Sequence, residues 1–397
     1  MHCGQISDFL LLDDLLRDEE KQARESVARL VDREFLPVVQ AHYEAGTFPT
    51  EIIPKLAEVG VFGATLKGYG CAGVSPVAYG LMMMELERGD SGLRSMASVQ
   101  GMLAMWPIYT FGSESQKERW LPALQSGKAV GCFGLTEPDH GSDPGGMRTR
   151  ARKTDRGYVL DGTKTWITNG SIADVAIVWA KLEGAGEGPE AIRGFLVEKG
   201  TPGFSTTDLH GKLSMRASVT SSLHLEECEV PEDALLPGAE GLKAPLRTLN
   251  QARFGIAYGV LGAAAACYHT AREYARERIQ FGRPIASFQL VQEKLVRMHT
   301  SLTLGQNLML RLGRLKEEGR LSPHMVSFAK RYNVDEALNT ARLARDLLGA
   351  NGIMLEYGVM RHLCNLETVR TYEGTHDIHT LALGRHLTGF DAFCAQR

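Results

Sequence analysis

The stretch GYVLDGTKTW, residues 157–166, carries an Asp-Gly pair between two runs of β-prone side chains. Asp-Gly favours the two-residue turn of a β-hairpin, so this stretch predicts two antiparallel strands that meet at Asp161 and Gly162. Two further apolar runs of strand length follow at residues 175–182 and 192–198, and Gly and Pro bound them. We therefore predict a β block at residues 130–238.

Helical periodicity surrounds this block. Residues 21–39 and 52–59 have apolar side chains at three- and four-residue spacing. The same spacing returns after Pro245 and is most regular between Val291 and Leu312, where it is typical of a helix packed at a shallow angle in a bundle. The predicted order is therefore helical, then β, then helical bundle.

Composition excludes several classes of protein. The chain has 397 residues, with 44 Lys and Arg against 47 Asp and Glu and a formal net charge of −3. This balance gives no global positive field, so we expect no nucleic-acid partner. No segment has about 18 consecutive apolar residues, so we expect no membrane span. An anionic ligand would have to be held by local donors.

Cysteines and the N-terminal segment bear on the compartment. The seven cysteines are scattered and form no C-x-x-C motif, which predicts neither a disulfide framework nor a zinc site and favours a reducing compartment. Residues 1–20 are acidic and lack a basic segment, unlike a secretory signal or a transit peptide. We expect a cytoplasmic protein, and a processed mitochondrial matrix protein would have the same appearance.

Two motifs have a plain interpretation. Residues 68–73 match G-x-G-x-x-G, but their flanks are helical and Pro76 follows, so we predict a glycine-rich surface loop and not a dinucleotide fingerprint. His376 and His379 share a helix face, yet no H-E-x-x-H motif accompanies them. We interpret both as core or site-orienting histidines and expect no metal site.

Three segments carry polar groups suited to a binding site. The Gly-, Pro- and Asp-rich residues 131–144 predict an irregular turn with exposed N–H groups and hydroxyls at the edge of the β block. Residues 166–169, Trp-Ile-Thr-Asn, place a large aromatic beside a hydroxyl and an amide, a combination that can cover a flat conjugated ring. Glu373 lies at a predicted chain reversal, where burial in an apolar cleft would raise its pKa towards that of a general base.

Together these segments resemble the acyl-CoA dehydrogenase family in order and over nearly the whole chain. The resemblance rests on the loop from Leu135 to Asp143, on residues 166–169, on Arg278-x-x-Phe281-Gly282, on Gln289, on residues 346–350 and on residues 372–375. Residues 88–100, 249–256 and 372–379 are most similar to its glutaryl-CoA dehydrogenase branch. The resemblance implies a multidomain α+β fold: an N-terminal all-α domain at 1–130, a middle β-barrel domain at 131–240 and a C-terminal four-helix bundle at 241–397.

The resemblance also implies a non-covalent FAD cofactor, a homotetramer and electron-transferring flavoprotein as the electron acceptor. The residues that it assigns to FAD are Phe133, Leu135, Thr136, Gly141, Ser142, Trp166, Ile167, Thr168, Arg278, Phe281, Gln289, Asp346, Leu347, Leu348, Gly349, Ala350, Thr375, His376 and Asp377. Some of them would act across a subunit interface.

For the reaction, the resemblance implies that Glu373 removes the α-proton of an acyl-CoA while the β-hydrogen leaves as hydride to the flavin. The acyl-CoA would be held by Arg94, Ser95, Ser98, Ser142, Leu249, Asn250, Arg253, Phe254, Tyr372 and Gly374, with Arg94 and Ser98 on a distal carboxylate. The alternative, purely structural interpretation of Arg94 is an internal ion pair with Glu85 or Glu87.

The expected reaction is oxidation and decarboxylation of glutaryl-CoA to crotonyl-CoA. Leu93, Gly170-Ser171 and Arg370 depart from the branch's pattern near the acyl pocket. These departures leave open a substituted dicarboxylyl-CoA, aryl-bearing or malonyl-type, and an acyl-CoA dehydrogenase that does not decarboxylate. A non-catalytic acyl-CoA- or flavin-binding protein is the alternative from another class.

Overall fold

A computed structural model describes residues 8–393 of the chain. Within this part the chain begins with helices, continues as a curled sheet and ends as a helical bundle. The predicted order of helical and β regions and the α+β fold class are therefore confirmed. Cys3, Cys394 and the first seven residues of the acidic N-terminal segment lie outside the described residues.

The helices before the sheet form the first region. They are α1 (Asp18–Leu30), α2 (Leu36–Ala45), α3 (Ile52–Glu58), α4 (Pro76–Gly89), α5 (Ser91–Ser98), α6 (Trp106–Phe111) and α7 (Glu114–Gln125). π-helical turns at Val31–Phe35 and Val99–Met105 join α1 to α2 and α5 to α6. Asp90 ends α4 and caps α5, because its Oδ1 accepts the N–H of Gly92 at 2.6 Å.

Helix α4 is buried along its whole length between α1 and the long helix α8 (Lys243–Glu277). Glycines permit this close approach: a Cβ added at Gly262 of α8 would lie 1.8 Å from the carbonyl oxygen of Met84. A Cβ added at Gly80 would lie 2.1 Å from the ring of Tyr258. Any polar side chain on α4 is consequently carried into the interior of the molecule.

The middle region is a seven-stranded sheet. Its strands are β1 (Gly131–Gly134), β2 (Arg150–Thr154), β3 (Gly157–Thr168), β4 (Val175–Leu182), β5 (Ile192–Glu198), β6 (Phe204–Asp208) and β7 (Thr220–Pro231). The hydrogen-bonded order is β1-β4-β2-β3-β7-β6, and β5 pairs with β4. Apolar side chains that include Leu160, Val178 and Phe195 are fully buried between its strands and form a core of their own.

The predicted hairpin turn at Asp161 and Gly162 is wrong. Strand β3 runs through both residues, and the turn that joins β2 to β3 lies at residues 155–156. The Asp161 carboxylate instead accepts the N–H of Glu227 at 2.9 Å, where the pairing of β3 with β7 shifts register. Glu227 has a φ of +46°, so the local irregularity that Asp-Gly indicated is a β-bulge and not a chain reversal.

The last region is helical. After α8 and a short hairpin of β8 (Ile279–Gln280) and β9 (Arg283–Pro284), the chain forms α9 (Gln289–Glu317), α10 (Pro323–Leu347), α11 (Val359–Thr371) and α12 (His376–Thr388). Helix α10 packs against α8, α9, α11 and α12, so it occupies the centre of this bundle. Buried positions on α10 therefore reach the junctions between the other helices.

The glycine-rich segment between α3 and α4 lies at the surface. Residues 68–73 form an exposed loop between α3 and α4, with Gly68, Gly70 and Gly73 at positive φ, so the prediction of a surface loop is confirmed. The described cysteines, Cys71, Cys132, Cys228, Cys267 and Cys364, are free thiols. Across residues 8–393 no helix is both long and apolar enough to cross a membrane, and no cluster of three or more His, Cys, Asp or Glu is placed to bind a metal.

Candidate active site

Glu373 lies in the turn between α11 and α12, and its backbone is left-handed, with a φ of +50°. Residues other than Gly seldom adopt this conformation, because their Cβ crowds the neighbouring carbonyl. Two cations hold the turn by its carbonyl oxygens. Lys330 Nζ donates to the oxygens of Tyr372 and Gly374, the latter at 2.7 Å. Arg253 Nε donates to the oxygen of Glu373 at 2.7 Å.

Glu373 is half-buried, and one oxygen of its carboxylate is withdrawn from water. Its Oε2 is buried and makes no hydrogen bond within the described residues. Burial raises the pKa of Glu373, whereas the charges of Lys330, Arg94 and Arg253 lower it, and the net direction is upward. A buried carboxylate with an unused lone pair and a raised pKa has the properties of a general base.

The backbone N–H of Glu373 is also available. In the part of the chain that the structure describes, it donates to no backbone carbonyl and no side chain. A free N–H beside a general base can stabilise an oxyanion that develops on a bound carbonyl compound. The turn therefore offers a base and an oxyanion donor from one residue.

Arg94 of α5 is 1% exposed and lies next to this turn. Its Nε donates to Glu87 Oε2 at 2.7 Å, and its Nη2 donates to the hydroxyl of Tyr372. Its guanidinium carbon also lies 5.6 Å from the centre of the Tyr372 ring. The predicted internal pair with Glu87 is thus present, and Arg94 also adjoins the predicted catalytic turn.

Two hydroxyls in the same region have only each other as hydrogen-bonding neighbours. Tyr79 Oη on α4 and Ser98 Oγ on α5 are buried close to one another and have no further partner among residues 8–393. Ser98 is one helical turn beyond Arg94 and so shares its face. The charges of Arg94 and Glu373 both act on Tyr79, and a Cβ at Gly255 would lie 2.7 Å from its hydroxyl oxygen.

Sequence reasoning missed Tyr79. In the sequence it is one aromatic in an apolar helical stretch, Val77 to Met84, and nothing in that pattern distinguishes it from a core residue. The only available indication was a hydroxyl on a helix face that is otherwise apolar, and such a hydroxyl usually has a local partner. The structure distinguishes Tyr79 by burying its hydroxyl near Arg94 and Glu373 with only Ser98 as a hydrogen-bonding neighbour.

The remaining predicted substrate residues differ in their burial and in their connection to the turn. Asn250 Oδ1 accepts Arg253 Nη1 at 3.2 Å, which connects both to Glu373. Leu249, Phe254 and Ser95 are buried. Ser142 is exposed on the loop that follows β1.

Arg370, one of the departures from the branch, points away from this group of residues. Its Nε donates to Asp335 Oδ1 at 3.2 Å, and both side chains are about 40% exposed. It therefore adds no charge beside Glu373.

The sheet supplies the second part of the site. Between Lys164 and Ile167 the pairing of β3 with β7 shifts register, so β3 carries an extra residue there. Trp166 occupies this bulge with a φ of +61°, and its side chain is 63% exposed. Bulges redirect side chains, which explains why this Trp is exposed although its neighbour Ile167 is buried. Thr168 is half-buried at the end of the strand.

Hydrogen bonds connect this edge of the sheet to the helix that leads to Glu373. Thr168 pairs with Thr220 at the start of β7. In the preceding loop, the N–H of Met215 donates to Asn365 Oδ1 of α11 at 2.7 Å. Ser214 Oγ lies 2.5 Å from Thr368 Oγ1 of the same helix. The Trp166 edge and the Glu373 turn thus belong to one bonded framework.

A buried ion pair holds the loop that follows β1. Lys164 Nζ lies 2.8 Å from Glu137 Oε1 and 3.2 Å from the carbonyl oxygen of Leu135. Glu137 also accepts the N–H groups of Arg148 at 2.6 Å and Thr149 at 2.9 Å. Burial would raise the pKa of Glu137, but the Lys164 charge and these donors hold it at about 2. Sequence reasoning did not assign Lys164 a role.

Further predicted cofactor residues lie along this loop. Phe133 and Leu135 are buried and Thr136 is half-buried, whereas Gly141 is exposed like Ser142. The carbonyl oxygen of Thr136 accepts the N–H of Thr165 at 2.9 Å, so the loop lies directly against β3 beside Trp166. These residues form one group with Trp166 and Thr168.

The other predicted cofactor residues form a second group at the far end of the bundle. Arg278 is about 25 residues beyond Arg253 on α8, which is about 38 Å at 1.5 Å per residue. Phe281 is 93% exposed and Gln289 is exposed at the start of α9. Asp346 at the end of α10 pairs with Lys294 of α9. One chain therefore does not bring this group to Trp166 and Glu373.

The predicted cofactor residues at the end of α10 and at the start of α12 differ in their burial. Leu347 and Leu348 are core residues, whereas Gly349 and Ala350 are exposed. Thr375 caps α12 by accepting the N–H of Ile378 at 3.1 Å, and Asp377 is exposed in its first turn.

The two histidines of α12 have separate surroundings. His379 is buried, with Nδ1 3.0 Å from Ser327 Oγ, and a Cβ at Gly374 would lie 2.8 Å from its Nε2. His376 Nδ1 lies 3.7 Å from Asp335. The placement of His379 against the turn supports its interpretation as a site-orienting histidine.

The chain matches known proteins over nearly its whole length. The acyl-CoA dehydrogenase N-terminal, middle and C-terminal domains match residues 17–128, 132–228 and 239–388. A crystal structure of glutaryl-CoA dehydrogenase from Mycobacterium smegmatis is 54% identical, with a TM-score of 0.94, over 96% of this chain and 98% of that one. A glutaryl-CoA dehydrogenase from the same organism in complex with FADH2 is 50% identical, with a TM-score of 0.94, over 96% and 97%. The short-chain specific acyl-CoA dehydrogenase of Megasphaera elsdenii is 34% identical over 89% of this chain and 94% of its own length.

A carboxylate of raised pKa among basic side chains, on a helical–sheet–helical scaffold, is typical of a class of flavin-dependent oxidoreductases. The chain belongs to the acyl-CoA dehydrogenase family, and its cofactor is FAD. The residues present fit this cofactor, because the bulge at Trp166 turns a flat aromatic face outward beside the half-buried hydroxyl of Thr168. When bound, FAD supplies the acceptor for the hydride that leaves the substrate.

Proposed function

We propose that this protein catalyses the α,β-dehydrogenation of a dicarboxylyl-CoA thioester, with glutaryl-CoA oxidised and decarboxylated to crotonyl-CoA. One observation carries the choice of a dicarboxylyl substrate. The cluster around Glu373 has three basic side chains, Arg94, Arg253 and Lys330, against two carboxylates, Glu87 and Glu373, so it carries an excess positive charge when Lys330 is protonated, below a pKa of about 7.

The uncompensated charge favours an anionic ligand. Arg253 and Lys330 have no carboxylate within salt-bridge distance among residues 8–393. A buried positive charge without a counter-ion is costly, and the cost falls when a ligand brings the counter-ion. A carboxylate at the distal end of the acyl chain would neutralise the cluster, whereas a plain fatty acyl group would not.

Donors with incomplete hydrogen bonding support the same substrate. Tyr79 and Ser98 bury hydroxyls whose only hydrogen-bonding neighbour among residues 8–393 is each other, and Arg94 Nη1 makes no hydrogen bond to the described protein. Native proteins leave few buried polar groups incompletely hydrogen-bonded, so several in one place indicate a polar ligand. A carboxylate has lone pairs for all three donors.

In the proposed reaction Glu373 accepts the α-proton of the thioester. Its N–H meets the charge that develops on the thioester oxygen, which lowers the barrier to proton removal. Burial of the carboxyl makes it a stronger base than an exposed Glu. After loss of CO₂ from the 2-enoyl acid, the protonated Glu373 returns a proton to the product.

Other residues are proposed to bind the substrate and the cofactor as the resemblance implies. Ser95, Ser142, Leu249, Asn250, Phe254 and Gly374 would contact the acyl-CoA. Trp166, Thr168 and the loop from Phe133 to Ser142 would hold the ring system of FAD.

The separation of about 38 Å along α8 between Arg253, beside the Glu373 turn, and Arg278 supports assembly of the site from more than one subunit. We therefore propose a homotetramer in which a neighbouring chain supplies its Arg278, Phe281 and Gln289 end. Electron-transferring flavoprotein is the proposed electron acceptor.

A second candidate is an acyl-CoA dehydrogenase that acts on a short or substituted acyl chain without decarboxylation. The 2.7 Å pair of Arg94 with Glu87 favours it, because Arg94 already has one counter-ion without a substrate. The likeness to a short-chain specific enzyme agrees with this candidate.

Anaerobic mixing of the FAD-loaded protein with individual acyl-CoAs distinguishes the candidates. The panel is glutaryl-CoA, an aryl-bearing and a malonyl-type dicarboxylyl-CoA, and butyryl-CoA. We expect glutaryl-CoA to bleach the flavin absorbance fastest and mass spectrometry to find crotonyl-CoA. Faster bleaching by butyryl-CoA, or a product that retains both carboxyl groups, would favour the second candidate. Purified protein that binds no FAD would indicate a non-catalytic relative.

A further inference from the structure

Lys330 is a buried basic residue that adds positive charge to the cluster but to which the proposed reaction assigns no catalytic step. It lies on α10, the central helix of the bundle, and is 2% exposed. Its Nζ donates to the carbonyl oxygens of Tyr372 and Gly374 and lies 5.7 Å from the centre of the Tyr372 ring. No carboxylate of the described chain lies within salt-bridge distance of it. Burial of a charged group that has only backbone acceptors is costly, so the placement of Lys330 requires an explanation.

The two carbonyls that Lys330 holds are those on either side of Glu373. Their simultaneous capture fixes the peptide planes that flank a residue in the left-handed conformation. The carbonyl of Glu373 itself is held by Arg253 from α8. Three consecutive carbonyls are thus fixed by side chains from two helices, so the direction of the Glu373 side chain is set by the bundle.

We propose that Lys330 is a positioning residue that holds the Glu373 turn in its left-handed form and keeps the Glu373 carboxylate ionised. The proposal rests on the proposed function, in which Glu373 is the base. Lys330 touches neither a substrate nor a cofactor in this role, and acts only through the turn.

Charges from every neighbouring helix act on this pair. Arg94 faces Glu373 from α5 with Glu87 of α4 behind it, and Arg253 faces Glu373 from α8. Among these charges Lys330 is the largest influence that lowers the pKa of Glu373. Its removal should therefore raise that pKa further.

The other titratable neighbours do not replace Lys330. Burial lowers the pKa of His379, which faces the turn from α12, to about 3, so His379 is neutral near neutral pH. Burial keeps the hydroxyls of Tyr79 and Tyr372 protonated. Burial also lowers the pKa of Lys330 to about 7, and the Glu373 carboxylate opposes that shift. The charge of Lys330 therefore acts mainly below about pH 7.

The test replaces Lys330 by Gln, which keeps an amide donor for the carbonyls but removes the charge. Arg331→Gln is the matched control, since it also removes one positive charge from α10. The Arg331 side chain donates to the hydroxyl of Thr380, and its charge does not act on Glu373. The protonation of Glu373 is followed by infrared difference spectroscopy of the FAD-loaded protein, with Glu373→Gln as the blank. FAD content and the thermal midpoint are recorded for each variant.

We expect Lys330→Gln to raise the titration midpoint of Glu373 by about one pH unit, the usual effect of one nearby opposite charge. The rate of flavin reduction by acyl-CoA should fall on the acid side of its pH profile, and the midpoint of that fall should shift upward by the same amount. At pH values below the midpoint the rate should therefore be about tenfold lower than in wild type, and it should recover at higher pH. Arg331→Gln should leave both unchanged.

A midpoint in Lys330→Gln that coincides with wild type would overturn the proposal. Lys330→Arg is a second variant that keeps the charge, and its midpoint should stay within a few tenths of a unit. A shift in Lys330→Arg equal to that in Lys330→Gln would also count against it. The infrared titration needs no turnover, so a wild type that reduces no flavin with any acyl-CoA would refute the proposed function and still leave Lys330 testable.

Discussion

Arg94 Nε lies 2.7 Å from Glu87 Oε2, and both side chains are inaccessible to solvent. Glu87 in turn accepts the hydroxyl of Ser91 at 2.8 Å through its other oxygen. Arg94 is therefore held by the protein on one side, while its Nη2 reaches Tyr372 in the predicted catalytic turn. The geometry agrees with both the structural and the functional interpretation of Arg94. One nitrogen of the guanidinium, Nε, makes the internal ion pair, and another, Nη2, reaches the predicted catalytic turn.

This pair dictates how Arg94 should be tested. Arg94→Met alone leaves Glu87 buried and unpaired, which costs about 3–5 kcal/mol of stability. In the double variant Arg94→Met/Glu87→Gln, we expect kcat/KM for dicarboxylyl-CoAs to fall by about 10²–10³-fold, with little loss for monocarboxylyl-CoAs of similar length. Steady-state kinetics on both substrate classes measures the difference. Equal losses on both classes would assign Arg94 a structural role only.

Glu373→Gln should fold and bind FAD but lose flavin reduction. A general base typically contributes about 10²–10⁴-fold, and Gln keeps the size and the left-handed turn but cannot accept the proton. Stopped-flow measurement of flavin bleaching gives the rate. Glu367→Gln on the exposed end of α11, where Glu367 pairs with Arg342, is the control and should react like wild type. A Glu373→Gln rate within a few-fold of wild type would show that another group is the base.

Glu137→Gln should destabilise the protein by about 3–5 kcal/mol near neutral pH, because it leaves the buried Lys164 without its counter-ion. The pKa of Glu137 is lowered from 4.5 to about 2, so its contribution is complete above pH 4.5 and is lost as the pH falls towards 2. The stability difference between wild type and variant should therefore narrow below pH 4.5. Denaturant unfolding at several pH values measures it.

The matched control for that experiment is Asp139→Asn in the same loop. Asp139 pairs with Arg148 at 3.2 Å, but both side chains are mostly exposed, so the pair should contribute no more than about 1 kcal/mol. An equal loss of stability in both variants would mean that the buried pair does not hold the loop.

Trp166→Ala should weaken FAD binding about two- to tenfold, since an aromatic stacking contact contributes about 0.5–1.5 kcal/mol beyond buried area. The thermal midpoint of the apoprotein should hardly change, because the indole is already mostly exposed. Leu213→Ala, which removes another exposed apolar side chain from the middle region, is the control. Fluorescence titration with FAD gives both affinities, and an unchanged affinity in Trp166→Ala would place the cofactor ring elsewhere.

The sequence by itself determined the order of the three regions, because periodicities of 3.6 and 2 are properties of consecutive residues. It also determined the local character of the turn at Glu373 and of the loop after β1, where Gly, Pro and Asp cluster. The hairpin at Asp161 was predicted wrongly because Asp-Gly is likewise a local pattern of consecutive residues. A local pattern can show that the backbone is irregular there, but the pairing with β7 decided that the irregularity is a bulge.

Only the tertiary structure decided which charges meet at Glu373. Lys330 is 43 positions before it in the sequence, Arg253 is 120 before it, and Tyr79 is farther still, on helices with separate periodicities. By local pattern each is an ordinary Lys, Arg or Tyr of its own helix, and of the three only Arg253 was assigned to the site, through the resemblance to the family. Their convergence depends on how α4, α8 and α10 pack, where glycines such as Gly80 and Gly262 set the approach. Electrostatic interactions depend on distance in space and on burial, and neither is a property of sequence separation.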